Sequence, residues 1–117
     1  MPQLRAPTQC HYWKTEHPNP GLDETVLVKS FRDESHLLRA LFRCRDCGQL
    51  YFYEWCEEID WVNGDDPRYQ TWVPVEEEDV DDLLKASVWT VRTYTPRIIN
   101  DSRPDGASVS GWIRGQV

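Results

Sequence analysis

Two cysteines stand two residues apart in Cys44-Arg45-Asp46-Cys47-Gly48, and Leu50-Tyr51-Phe52-Tyr53-Glu54-Trp55 follows almost at once. That spacing narrows the local fold. A redox pair of this kind opens a helix, whose N-terminus lowers the thiol pKa. Here a glycine and then alternating aromatics follow, which is strand chemistry rather than helix-start chemistry. A metal-binding turn between two strands needs the opposite arrangement. Its backbone N–H groups point at the sulfurs, and a glycine after the second cysteine supplies positive φ.

The flanking sequence supports a hairpin. In 50–61 one parity places Tyr51, Tyr53, Trp55, Ile59 and Trp61 on one face. Glu54, Cys56, Glu58 and Asp60 alternate with them. Asn63-Gly64-Asp65-Asp66-Pro67 reads as a loop of turn formers, and 69–75 as a return strand. Upstream, 25–31 is β-branched and apolar enough for a strand, and Asp33 is placed to cap a helical turn over 33–36. The stretch 37–44 fits either period, with strand preferred toward its end. Downstream, 76–86 predicts a helix with acids crowding its first turns and Val80, Leu83 and Leu84 as its apolar stripe. Residues 88–95 read as a further strand. The tail 96–117 reads as loop, loosely ordered and tied down by Trp112 and Ile113. The expected architecture is therefore α+β: one domain over 1–117, a small antiparallel sheet with a zinc knuckle hairpin and one acidic helix.

On these residues the segment resembles the knuckle of zinc-ribbon and rubredoxin-like proteins. The resemblance covers about five residues plus their flanking strands, and it implies a zinc site without implying an activity. A structural zinc takes four ligands, and a second CxxC is missing. Cys56 lies too far along an extended strand to return to the ion, and reads as a small half-buried thiol. Cys10 is free to join Cys44 and Cys47. His17 is the preferred fourth ligand, because His11, adjacent to Cys10, would bite side by side. His36 is a third candidate.

Charge points to a class of partner. The formal net charge of −7 is segregated: residues 1–53 carry +1, residues 54–82 carry −11 and residues 83–117 carry +3. Such a field repels a phosphate backbone and attracts a basic protein. Asp65, Asp66, Glu77, Glu78, Asp81 and Asp82, with Trp61 and Trp72 as aromatic anchors, form the expected partner-binding face. The leading reading is thus a non-enzymatic, acidic, zinc-stabilised protein-binding module, in the manner of an inhibitor or immunity protein. One alternative is a metal-dependent hydrolase or nuclease, using the Cys44/Cys47 zinc with Glu54 or Glu57 as base. Another is a nucleic-acid-binding ribbon acting through Arg39, Arg43 and Arg45. No catalytic motif with a histidine pair, phosphate loop or serine elbow is present. No small-molecule substrate is evident. The start, MPQLRAPTQCHYWK, lacks the apolar stretch of a signal peptide, and no run approaches the length of a membrane span. The expectation is a cytoplasmic protein with reduced or metal-bound thiols.

Overall fold

In the computed structural model, which describes residues 3–21, 23–58, 67–103 and 107–115, six strands form one antiparallel sheet in chain order. They are β1 (Thr25–Glu34), β2 (Leu37–Cys44), β3 (Leu50–Glu57), β4 (Arg68–Val75), β5 (Arg97–Ser102) and β6 (Ser108–Ile113). Between β4 and β5 run a 3-10 turn (Glu77–Asp79), the helix α1 (Val80–Lys85) and the single turn α2 (Val88–Val91). A second 3-10 turn, His11–Lys14, precedes the sheet.

This architecture corrects the α+β expectation. The chain is nearly all-β. The acidic helix is present but short, and it starts with a capping box between Glu76 and Asp79. The strand expected over 88–95 does not form: Val88–Val91 is a helical turn, where Ser87 Oγ accepts the Thr90 N–H at 3.2 Å as its cap. The expected loop after Pro96 supplies β5 and β6. Ile98 and Ile99 are both buried there, and Asp101, which reads as a loop former, is buried against Arg92 at 2.6 Å. At 33–36 there is no helical turn either. Asp33 pairs with Leu38, and β1 passes directly into β2 through Ser35 and His36.

Both faces of the sheet are covered, which explains a further departure. On one face Leu41, Phe52, Val73 and Val75 pack beneath Leu83 of α1 and Val91 of α2. On the other, Tyr51, Trp72 and Ile98 pack with Cys10 and Tyr12 from the N-terminal segment. Glu54 and Cys56, which alternate with the aromatics of β3, are therefore buried on the helix side. Glu54 is neutralised there by Arg39, its cross-strand partner. β1 is an edge strand with register shifts at Leu27/Lys29 and Ser30/Arg32, and its charges and irregularities blunt it against further pairing.

Candidate metal centre

The cysteine pair forms the tight turn that its spacing requires. Cys44 closes β2, its N–H donating to Gln49 O at 2.9 Å, while Gly48 N–H returns to Cys44 O at 2.9 Å. Gly48 has φ +81, and a Cβ there would meet nothing within 4 Å, so the need for glycine is set by the backbone alone.

The N-terminal segment is carried to this turn by a separate set of contacts. Cys10 precedes the 3-10 turn in extended conformation (φ −88, ψ 135). Trp112 of β6 donates its indole N–H to Tyr12 O at 2.7 Å, and Arg114 donates to Trp13 O at 2.9 Å. The Arg114 guanidinium lies 4.0 Å from the centre of the Trp13 ring. These contacts set Cys10, fully buried, against the face of β3.

Three donor side chains then converge. The ligand atoms of Cys10, His11 and Cys44 all lie within 4.8 Å of one another, close enough to hold a metal ion. Cys44 Sγ is 3.9 Å from His11 Nδ1. Cys47 is half-buried and packs against the cluster that holds Cys10 and Cys44. It also lines an open polar hollow of about 440 Å³ with Gln9, Gln49 and Glu76. All four cysteines are free thiols.

The groups behind the donors suit a metal ligand set. Tyr51 donates its hydroxyl to Cys10 Sγ at 3.2 Å. His11 faces two carboxylates, Asp46 at 3.3 Å from Nδ1 and Glu24 at 3.6 Å from Nε2. Glu24 in turn accepts from the Tyr12 hydroxyl at 2.7 Å. Glu24 faces the ring nitrogen away from Cys44, where a carboxylate orients the imidazole and raises its basicity as a ligand, while Asp46 shares Nδ1 with Cys44. Burial pushes the Cys10 thiol up to about 12, with Cys47 and Cys44 adding to the rise, and the Tyr51 hydrogen bond only partly offsets it. An unmetallated Cys10 is therefore a neutral thiol at physiological pH. Tyr51 and Tyr12 are likewise pushed up, first by burial.

The remaining expected site residues lie elsewhere. His17, preferred in sequence as the fourth ligand, points away: its Nδ1 is 3.2 Å from Ser110 O, against β6. The adjacent bite of Cys10 and His11 that looked awkward is achieved because the chain changes from extended to 3-10 geometry between them. His36 sits in the β1–β2 turn, 3.2 Å from Glu57. Glu77, Glu78, Asp81 and Asp82 are exposed along the helical segment. Trp72 is not an exposed anchor; it is a core residue packed between Phe42, Tyr53 and Tyr51. Trp61, Asp65 and Asp66 lie outside the described residues. Glu54 and Arg39 are a buried ion pair, and Glu57 is bound to Arg68 and His36. Arg43 and Arg45 are exposed. Tyr51, Glu24 and Asp46 were not read as site residues. Tyr51 alone carried a signal, its position on the first strand after the turn.

No helix among the described residues is long and apolar enough to cross a membrane. Comparison with protein-family models, with curated proteins and with solved structures finds no match for this chain.

Proposed function

We propose that this chain is a protein-binding module stapled by a structural zinc ion, with its acidic helical segment meeting a basic partner. The observation that carries the reading is the convergence of Cys10, His11 and Cys44 from two segments far apart in sequence, with Cys47 packed against the same cluster. A set of three thiols and one imidazole matches the Cys₃His composition of closed structural zinc sites, and soft thiolates select zinc over harder cations. Zinc bound there would tie the N-terminal segment to the β2–β3 turn. In that role the ion contributes folding free energy rather than an activated water.

Neither carboxylate considered as a general base supports hydrolysis. Glu54 alternates with Tyr51 to the opposite face of β3 and is held by Arg39 at 2.9 Å. Glu57 is six residues from Tyr51, roughly 20 Å along the strand, and is engaged by Arg68. Arg39 is likewise committed to an internal pair, which weakens the nucleic-acid reading. An inhibitor-like role remains the form of binding module that the acidic surface fits best.

Native mass spectrometry tests the zinc. The purified chain is expected to carry about one zinc, lost in Cys10→Ser and Cys44→Ser and retained in Cys56→Ser. Metal-free protein with four free thiols, refusing added zinc, would sink the reading. The surface is tested by replacing Glu77, Glu78, Asp81 and Asp82 with Gln or Asn. Association with a lysine-rich peptide should slow and lose its salt dependence. Unchanged kinetics in a folded variant would remove the acidic segment from the proposal.

A further inference from the structure

The three thiols gathered at the β2–β3 turn differ in what can reach them. Cys10 is fully buried and Cys44 is 1% exposed. Cys47 is half-buried, and of the three it alone lines the open polar hollow. Cys56 lies across the sheet from them, buried on the helix-covered face.

Distance singles out a different pair. The sulfurs of Cys10 and Cys44 belong to a group of donor atoms that all lie within 4.8 Å of one another. A disulfide closes at about 2.05 Å, a gap that rotation about χ1 can cover. Protein contacts hold the two sulfurs there without a metal. Trp112 and Arg114 carry the N-terminal segment, and Tyr51 donates to Cys10 Sγ at 3.2 Å. Beside Cys44, the Arg45 N–H donates to Glu24 O at 2.9 Å. The pair placed to bond is therefore shielded from solvent, and the thiol that solvent reaches is packed against it.

We propose that this cluster is a peroxide-sensitive modification site, in which Cys47 takes the oxidant and Cys10 and Cys44 end as a disulfide. Release of zinc on oxidation rests on the metal reading above; the disulfide does not. In the first step the Cys47 thiolate attacks one oxygen of hydrogen peroxide, the O–O bond breaks, and hydroxide leaves. Cys47 is then a sulfenic acid. A thiolate of the pair attacks its sulfur, forming a disulfide to Cys47 and expelling the oxygen as hydroxide, which is protonated to water. The other member of the pair attacks the sulfur of the first, and Cys47 leaves as thiolate. Cys10 and Cys44 together give up two protons and two electrons, and the peroxide is reduced to two waters. With both sulfurs in a disulfide, His11 and Cys47 are too few donors to hold zinc. The bond then ties the N-terminal segment to the β2–β3 turn in place of the ion, so the fold survives oxidation.

The test treats the full chain with hydrogen peroxide in two arms, zinc-loaded and metal-free. Free thiols are then blocked, and disulfides are mapped by proteolysis and mass spectrometry. Both arms should end with Cys10 joined to Cys44 and with Cys47 and Cys56 blocked. In the loaded arm a chromophoric chelator should read about one zinc released per chain, in step with the disulfide. The oxidised chain should melt above the reduced metal-free chain, because the bond constrains the unfolded state. Cys47→Ser should slow disulfide formation about tenfold or more in the metal-free arm. If that variant fails to fold, a short pulse of N-ethylmaleimide on the reduced wild type reads the same order of access, with Cys47 labelled first. A Cys44–Cys47 end product, or Cys47 carried to sulfinic acid while Cys10 and Cys44 stay reduced, would overturn the proposal, as would an unchanged rate in Cys47→Ser. A chain that refuses zinc yet forms the disulfide would remove the metal reading and leave the disulfide site standing. Zinc uptake with no disulfide in either arm would do the reverse.

Discussion

The hydroxyl of Tyr51 donates to the sulfur of Cys10 at 3.2 Å, joining residues 41 apart in sequence at a point where both are fully buried. In the metal-free chain this is a neutral bond to a thiol. Once Cys10 becomes a thiolate on a metal it is charge-assisted and stronger. Tyr51→Phe keeps the ring and removes only the donor. The expected result is a stability loss of about 1 kcal/mol and a zinc affinity about tenfold lower at unchanged stoichiometry. A thermal melt and competition with a chromophoric chelator read the two effects. Unaltered affinity would reduce Tyr51 to a packing role.

The choice of histidine is separately testable. His11 lies within the donor triad and His17 lies against β6. His11→Ala should weaken zinc binding well beyond the effect of a group behind the ligands, at least about a hundredfold by the usual range. His17→Ala should leave affinity unchanged and cost at most the single contact to Ser110. The reverse order of affinities would move the imidazole ligand to a rearranged N-terminal segment.

These two residues also mark how far the sequence could be read. The Cys44–Cys47 turn and the strands beside it follow from spacing and alternation, which are local. Cys10 could be brought in as a free donor, but choosing between His11 and His17 needs the path of the N-terminal segment. Trp112 and Arg114 fix that path from the far end of the chain. The same gap hid β5 and β6. Asn100, Asp101 and Ser102 have turn-forming composition, and the burial of Ile98 and Ile99 together with the ion pair from Arg92 to Asp101 makes that strand favourable. Pattern also failed at Glu54, because alternation reports polarity and not whether a paired charge is covered by a helix.

Cys56 gives a pH signature of this hidden polar layer. It is 6% exposed, and burial, followed by the nearby Glu54 charge, pushes its thiol from 9.0 up to about 11. The folded value lies above the unfolded one, so the native state holds its proton longer. The associated stability is complete below pH 9 and is lost as the pH rises toward 11, amounting to roughly 2 kcal/mol. Chemical denaturation of the wild type against Cys56→Ser across this window should show the wild type losing more stability than the variant. Parallel pH profiles would show that Cys56 does not titrate with folding. In the native state at pH 8, Cys56 should also resist alkylation, since only the thiolate is nucleophilic.

Arg39 and Glu54 provide the sharpest test of the helix-covered face. Arg39 Nε donates to Glu54 Oε2 at 2.9 Å, and its terminal nitrogens donate to Ala86 O at 2.9 Å and Leu84 O at 3.4 Å. One guanidinium therefore neutralises a buried carboxylate and holds the end of α1 to the sheet. Glu54 Oε1 has no partner among the described protein atoms, so little compensation exists if the arginine is lost. Arg39→Met strands a buried charge and frees two helix carbonyls, an expected loss of about 3–5 kcal/mol. Replacing both residues, Arg39→Met with Glu54→Leu, strands no charge. Its cost should fall below that of Arg39→Met alone, leaving mainly the lost helix contacts at about 1 kcal/mol each. A double-mutant cycle on denaturation midpoints measures this coupling. If the double variant is no more stable than Arg39→Met, the pair is not a coupled buried ion pair, and α1 is held to the sheet by Leu83 packing instead.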